Sequence, residues 1–371
     1  MTATLRVSGG ATVYRLYDVG YTIALDRAAT LLGDRGHGRV LPRRDEARAI
    51  EIRNPPLFAE LGFREMLVNG ETYTASLSAH LFDFGVCSLH LQITAPENLT
   101  WPEFSAFGVG VAATQVSQAQ LDNELHVLLN KIGPAIERPA VAPLTEDFVV
   151  YRIDGLESPG DNRTVSEQIT NEALAPLLFG DQRPLASTTL RELMPHRFSY
   201  YDDDLTVLTW ENALVVEPRQ NDLDVEFVLE FANAQLLELR LYDLQLGAEL
   251  PALYDRVDSL RARRPLRLSR GFREVLAGLQ TQVADVTETV ERVENALKVT
   301  NDVYLARIYA AALELFREQA WRNGIERKLT ILRETYAMLN GEALAARAEL
   351  LELSIVVLIV AELSLSVMKF F

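Results

Sequence analysis

The five histidines, at positions 37, 80, 90, 126 and 196, are the side chains best suited to proton transfer or metal ligation. They fall on different predicted elements, and none shows the His-x-x-x-His or His-Glu-x-x-His spacing that would put two imidazoles on one helix face. His80 and His90 lie in consecutive β-rich runs and can meet across a hairpin. With no third ligand in view, they read as a structural pair and no metal site is assigned. Asp202-Asp203-Asp204, with Glu211 nearby, offers oxygens to a hard cation. It lacks the alternate spacing and glycine of a calcium loop, and so reads as a solvated turn. Gly108-Val109-Gly110 has no third glycine and falls in a helical run, and no Walker sequence occurs, so no nucleotide cradle is indicated. Cys87, the single cysteine, sits in an apolar strand pattern as a small hydrophobe. It excludes an internal disulfide and a cysteine-rich zinc site, and fits a reducing compartment. On this reading the catalytic, cofactor and metal assignments are all empty.

Charge narrows the partners. Thirty-six basic against 52 acidic residues give a net charge of −16, which excludes a general nucleic-acid binder. One local exception is Arg261, Arg263, Arg264, Arg267, Arg270 and Arg273, six arginines within 13 residues at a predicted turn between long helices. They read either as a solvated loop balancing Glu249, Asp255 and Asp258, or as a contact for an acidic partner, anionic lipid or RNA. No aromatics interleave to make a base-stacking platform.

The elements that must carry these residues point to an α+β class. At 371 residues, 48% hydrophobic and 24% charged, the chain suits two or three globular units. We expect an α+β domain over 1–218, a helical bundle or coiled coil over 219–349, and a hydrophobic helix over 350–371. In the first, 14–25 reads as strand, followed by a short helix from Asp26 to Leu32, and 34–54 as a loop. Residues 72–82 and 84–94 read as an antiparallel pair bent near Asp83 and Gly85. Thr100 caps a helix to about Ile132, 148–153 is a strand, and Thr164 or Ser166 opens a helix to Leu178. A hairpin over 197–201 and 206–216 closes the domain. Beyond Pro218, Val225, Val228, Ala232, Leu236 and Leu239 begin a long helical periodicity that continues to Leu260. Leu276, Leu279, Val283, Val286, Val290, Val293 and Leu297 form a heptad seam. A helix follows to about Gly324, and another starts at Ile325.

The last segment is ambiguous by length. Leu353 to Met368 is broken only by Glu362 and spans ~24 Å, against a ~30 Å hydrocarbon core. Extended to 350–371, it reads as a single-pass tail anchor in the inner membrane or as a buried bundle helix. Arg327, Lys328, Arg333 and Arg347 before it place the bulk of the chain on the cytoplasmic side, and the N-terminus shows no secretory leader. Glu352, Glu362, Ser366 and Lys369 share one helical seam with Ile355 and Ile359. Such a seam favours a homo-oligomer over lipid exposure.

The run Asn301-Asp302-Val303-Tyr304-Leu305-Ala306-Arg307-Ile308-Tyr309, then Ile325-Glu326-Arg327-Lys328-Leu329 and Tyr336-Ala337-Met338-Leu339-Asn340, resembles the required-for-meiotic-nuclear-division family. The resemblance covers residues 220–371 in pattern and points to a distant bacterial-type member. It implies a soluble N-terminal domain, helical coils, a C-terminal hydrophobic helix and membrane association, with no catalytic residues to carry over. The expectation is a non-enzymatic, membrane-anchored homo-oligomeric scaffold whose α+β domain recruits a partner. The alternatives are an ion channel with a layout like the CorA-type magnesium channels, and an enzyme of unknown type.

Overall fold

In the computed structural model the chain has the expected α+β class. The structure describes residues 5–33, 36–39, 50–52, 54–113, 118–158, 163–181, 183–219, 223–261, 277–278, 280–281, 283–284, 286–288, 297–299 and 303–370. The elements in chain order are β1 (Arg6–Asp18), β2 (Thr22–Ile23), α1 (Leu25–Leu32), β3 (Gly36–Arg39), β4 (Ile50–Ile52), β5 (Leu57–Val68), β6 (Glu71–Leu81), β7 (Val86–Thr94) and β8 (Leu99–Thr100). There follow α2 (Trp101–Ala113), α3 (Gln118–Ile132), β9 (Ile136–Glu137), β10 (Thr145–Glu157), α4 (Val165–Gln168), α5 (Asn171–Phe179), α6 (Ser187–Leu193), β11 (His196–Phe198), β12 (Leu205–Leu208) and β13 (Asn212–Val216). The chain closes with α7 (Asp224–Arg261), β14 (Leu297–Val299), α8 (Val303–Leu315) and α9 (Glu318–Phe370). They make two compact units, Met1–Glu238 with Arg292–Gln319 and Leu239–Glu291 with Ala320–Phe371.

The first unit is built on a mixed sheet of order β11-β12-β13-β10-β1-β7-β6-β5-β3, with β8 added to β1. Only β10 with β13 runs parallel among these pairs. Strand alternation sorts the side chains. Ala75, Leu77, Ala79 and Leu81 of β6 and Leu89, Leu91 and Ile93 of β7 turn into one core with α1, α2, α3, α5 and α6. Ser76, Ser78, His80, Ser88, His90 and Gln92 therefore face the other way, a polar floor in the middle of the sheet. The register sets His80 opposite Ser88 and Ser78 opposite His90, so the two imidazoles are diagonal neighbours.

The expected hairpin is present, and its bend is a tight one: Gly85 has φ +98°, and a Cβ there would lie 1.9 Å from the Gly20 carbonyl oxygen. Thr100 opens α2 as expected, with Glu103 Oε2 accepting from its backbone N–H at 2.8 Å and its hydroxyl at 2.6 Å. The single helix expected to Ile132 is instead two, α2 and α3. Gly108 and Gly110 lie within α2 as packing contacts. A Cβ on Gly108 would meet Leu177 Cδ1 at 2.5 Å, and one on Gly110 would meet Asn69 at 2.4 Å. Thr164 forms a full capping box with Glu167 on α4, and Thr170 caps α5 separately. The closing hairpin gains a strand, because Thr209 and Asn212 turn the chain between β12 and β13 through hydrogen bonds of 2.8–3.2 Å. Two pieces of the 34–54 loop are strands, β3 against β5 and β4 against β14. That second pairing takes Leu297, the last position of the heptad seam, into a strand opposite Ile52.

The second unit is helical. Leu239 and Leu246 of α7, Val286, and Ile325, Leu329, Leu332 and Leu339 of α9 form its core. Lys328 Nζ donates to Asp243 Oδ1 at 2.7 Å and to its carbonyl at 2.6 Å. Neither Gly324 nor Asn340-Gly341 ends α9, which runs on to Phe370, because the packed Ile325–Leu339 stripe outweighs the weak helix preference of a glycine.

The membrane anchor expected over 350–371 is corrected. Among the described residues, no helix is long and apolar enough to cross a membrane. The segment is the end of α9, and Glu352 and Glu362 bracket only nine uncharged residues, ~14 Å of helix against the ~30 Å required. The inner-membrane, single-pass location and the membrane as a partner fall with it.

Candidate functional site

α7 enters the polar floor of the first unit from above. From Val225 to Leu237 it is apolar nearly all round and buried, with Phe231 wedged 5.8 Å from both Phe82 and Phe84. That wedge fixes the rotation of the helix. It delivers Glu226 and Glu230, one turn apart, onto the sheet face that carries the histidines.

Glu230 bridges the two rings. Its Oε2 lies 2.7 Å from His80 Nδ1 and its Oε1 lies 2.7 Å from His90 Nε2, with the carboxylate side chain 1% exposed. The imidazole centroids are 4.3 Å apart with their planes at 85°. Ser88 Oγ sits 3.2 Å from the same His90 nitrogen, and the Tyr14 ring packs 4.8 Å from that of His90. Burial acts to raise the Glu230 carboxyl, but the two imidazoles outweigh it and hold the group well below the usual carboxylate range. Burial also lowers His90, reinforced by His80 and opposed by Glu230. An ionised Glu230 thus accepts from two imidazole N–H groups, which assigns the tautomers: Nδ1–H on His80 and Nε2–H on His90. Tyr14 is pushed up by burial and then by Glu230 and Glu226, so it stays a neutral phenol.

Beside this cluster, Arg152 of β10 is clamped. Its Nε donates to Asp154 at 2.6 Å, Nη1 to Glu226 Oε1 at 2.5 Å, and Nη2 to the carbonyls of Arg219 and Glu217 at 3.3 and 3.5 Å. The histidines, Glu230, Glu226, Glu60 and Arg152 all line a cavity of about 550 Å³. Its floor is Thr12, Ser76, Ser78 and Gln92, and its apolar walls are Phe58, Leu223 and Phe227.

The ligating atoms of His80, His90 and Glu230 lie within 4.8 Å of one another, and theirs is the group with metal-ligand character among the described residues. Two imidazoles and one carboxylate are a donor set for Zn²⁺ or another borderline divalent metal. A tetrahedral site with ~2.0–2.1 Å bonds separates its ligands by about 3.3 Å, so the 2.7 Å contacts would open by roughly half an ångström as a metal replaced the shared protons.

The structural pair of histidines thus has the third ligand that the sequence reading lacked. Glu226, Arg152, Tyr14 and Glu60 join it, none of them singled out by spacing. Cys87 is fully buried, and burial followed by Glu230 pushes its thiol up, which leaves it inert. Asp202-Asp203-Asp204 is a turn: Asp204 Oδ1 accepts from the Tyr200 N–H at 2.7 Å, and the Asp202 carbonyl accepts from the Val165 N–H at 2.8 Å. Glu352, Glu362 and Ser366 are exposed on α9, and the side chain of Lys369 lies outside the described residues. Arg261 is the last residue of α7, with its side chain undescribed, and Arg263, Arg264, Arg267, Arg270 and Arg273 lie outside the described residues.

Comparison with known proteins places the similarity over this same unit. The family model described as "Uncharacterized protein MJ0711, N-terminal domain" matches residues 8–222. A curated relative, uncharacterized protein MJ0711 of Methanocaldococcus jannaschii, is 24% identical over 198 residues, 53% of this chain and 59% of the relative. The chain therefore spans about three fifths of that relative's length. No solved structure matches the chain at a significant level. These findings overturn the resemblance to the required-for-meiotic-nuclear-division family. The motifs quoted for it lie in the C-terminal helices, whose apolar-and-charged periodicity any amphipathic bundle shares, whereas the match found is to the sheet domain.

Proposed function

The chain belongs to the family defined by the MJ0711 N-terminal domain, and from that premise and the pocket geometry we propose that it is a metal-dependent enzyme acting on a small molecule. The observation that carries this reading is the convergence of His80 Nδ1, His90 Nε2 and a Glu230 oxygen from three separate elements on the wall of a 550 Å³ cavity. Three protein ligands with one position left open are the arrangement of a catalytic rather than a structural divalent site. The metal would supply a Lewis acid and a bound water of lowered pKa, the requirement for hydrolysis at neutral pH. The chain's own groups have separate tasks. Tyr14 packs against the His90 ring, and the Arg152–Glu226 pair ties the helical turn before Glu230 to the sheet. The scaffold expectation drew on a membrane tail, and the pocket favours chemistry over recruitment.

Titration of the full chain with Zn²⁺ by calorimetry tests this. One equivalent should bind, and His90→Ala and Glu230→Gln should each weaken binding by at least tenfold while far-UV dichroism stays native. Unchanged affinity in both variants would refute the site.

A further inference from the structure

The charged groups around the cavity are already engaged within the protein. Arg152 donates to Asp154, Glu226 and two backbone carbonyls, and Glu230 is held between His80 and His90. Glu60 and Asp224 also have protein partners. The neutral side chains of the floor are different. Thr12 hydrogen-bonds to Tyr14, but among the described residues no protein group bonds to the side chains of Ser76, Ser78 or Gln92. The two serines are half-buried and Gln92 is exposed. Each of the three can both donate and accept.

Sheet register gathers these groups into a patch. Ser76 pairs with Gln92, which pairs with Thr12, and Ser78 pairs with His90. Ser76 and Ser78 stand ~7 Å apart along β6, and Gln92 lies ~5 Å across on β7. On its other side Ser76 pairs with Phe63 of β5, so that ring rises from the same face of the sheet. The register shift between Glu60 and Gly62 is the cause, because the bulge turns Phe63 away from the core face that Ala59 occupies. Phe63 is 66% exposed, a large apolar ring left in water at the end of a polar row. Unpaired hydroxyls and an amide spread in two dimensions, bounded by an aromatic ring, are the complement of a sugar. Its hydroxyls project from all round the ring, and its C–H bonds pack on the negative face of an aromatic. A nucleobase holds its donors and acceptors in one plane and would leave part of the patch unmet.

We propose that this patch is a saccharide seat: an uncharged monosaccharide binds with its hydroxyls on Ser76, Ser78 and Gln92 and a C–H face against Phe63. The inference rests on the metal reading only in naming a substrate class for that site. Ser78 adjoins His90, so the far end of the sugar reaches the ligand cluster. The cavity of about 550 Å³ accommodates a molecule of this size.

The test uses the full chain, without Zn²⁺ at first so that a metal's own pull on anions plays no part. Calorimetry compares D-glucose, D-galactose, D-mannose, D-ribose and N-acetyl-D-glucosamine with D-glucuronate, D-glucose 6-phosphate, D-glucosamine and adenosine. At least one neutral sugar should bind at least tenfold more tightly than every charged sugar and than adenosine. Phe63→Ala should weaken that sugar at least fivefold, and Ser76→Ala combined with Gln92→Ala at least tenfold, with thermal melts of both variants reporting intact folding. Binding of no neutral sugar would overturn the proposal, as would equal or tighter binding of a charged sugar or of adenosine, or sugar binding that neither variant weakens. A second titration with Zn²⁺ separates the two readings. Sugar binding without any Zn²⁺ binding would retire the metal reading alone, and Zn²⁺ binding beside any of the overturning results would retire this inference alone.

Discussion

Glu230 Oε1 lies 2.7 Å from His90 Nε2, although 140 residues separate them. The contact joins the long helix to the centre of the sheet, and its partner contact to His80 makes the carboxylate the one anion between two imidazoles.

Removing that anion should destabilise the first unit. In Glu230→Ala two buried ring nitrogens lose their acceptor, and an unsatisfied buried donor costs roughly 1–3 kcal/mol. Urea unfolding should show a loss of about 2–4 kcal/mol for Glu230→Ala and a smaller one for Glu230→Gln, which keeps an acceptor oxygen. Equal losses would mean that the side chain acts by filling space alone.

A second buried acid sets a pH dependence. Asp18, 9% exposed, is pushed up to about 7 by burial, against the hydrogen bonds it makes with Glu238 and the Gly20 backbone. The unfolded chain releases this proton near pH 4 and the folded one near pH 7, so the native state binds more protons in between and stability falls as pH rises through that window. Asp18→Asn should leave stability near pH 4 unchanged and raise it near pH 8 by ~1–3 kcal/mol. A variant with the parent's slope would show that Asp18 titrates normally.

Arg152 and Glu226 form a buried pair at 2.5 Å. Arg152→Met strands a carboxylate and should cost about 3–5 kcal/mol, most of it recovered by adding Glu226→Leu, since an apolar pair avoids the desolvation of both charges. Additive losses would argue that the two side chains act independently.

The bend between β6 and β7 tolerates no Cβ. Gly85→Ala combines a left-handed backbone with a 1.9 Å approach to the Gly20 carbonyl. It should lower the melting temperature of the first unit by more than 10 °C, at roughly 2–4 kcal/mol of strain and displacement. A melt within 2 °C of the parent would show that the loop relaxes freely.

Local pattern made much of this protein legible in its sequence. The hairpin around Asp83 and Gly85, the Thr100 cap and the periodicity of α7 and α9 follow from alternation, cap chemistry and 3.6-residue spacing, which neighbouring residues settle among themselves. The meeting of His80 and His90 was legible for the same reason, because a short bend fixes register. The split of the 206–216 run and the transfer of Leu297 from heptad to strand were not, since each depends on a pairing partner distant in the chain. Glu230 was hidden by a different rule. An acid four residues after Glu226 looks like the solvated side of a helix, and only packing revealed that this helix has no solvated side there. The clue was present in the near-continuous apolar run of Phe227, Val228, Leu229, Phe231 and Ala232, which predicts burial all round and hence a paired acid. Which partner the acid would find was decided by the Phe231 wedge between Phe82 and Phe84. Helix rotation over a sheet is set by shape complementarity between side chains far apart in sequence, and no spacing rule encodes it.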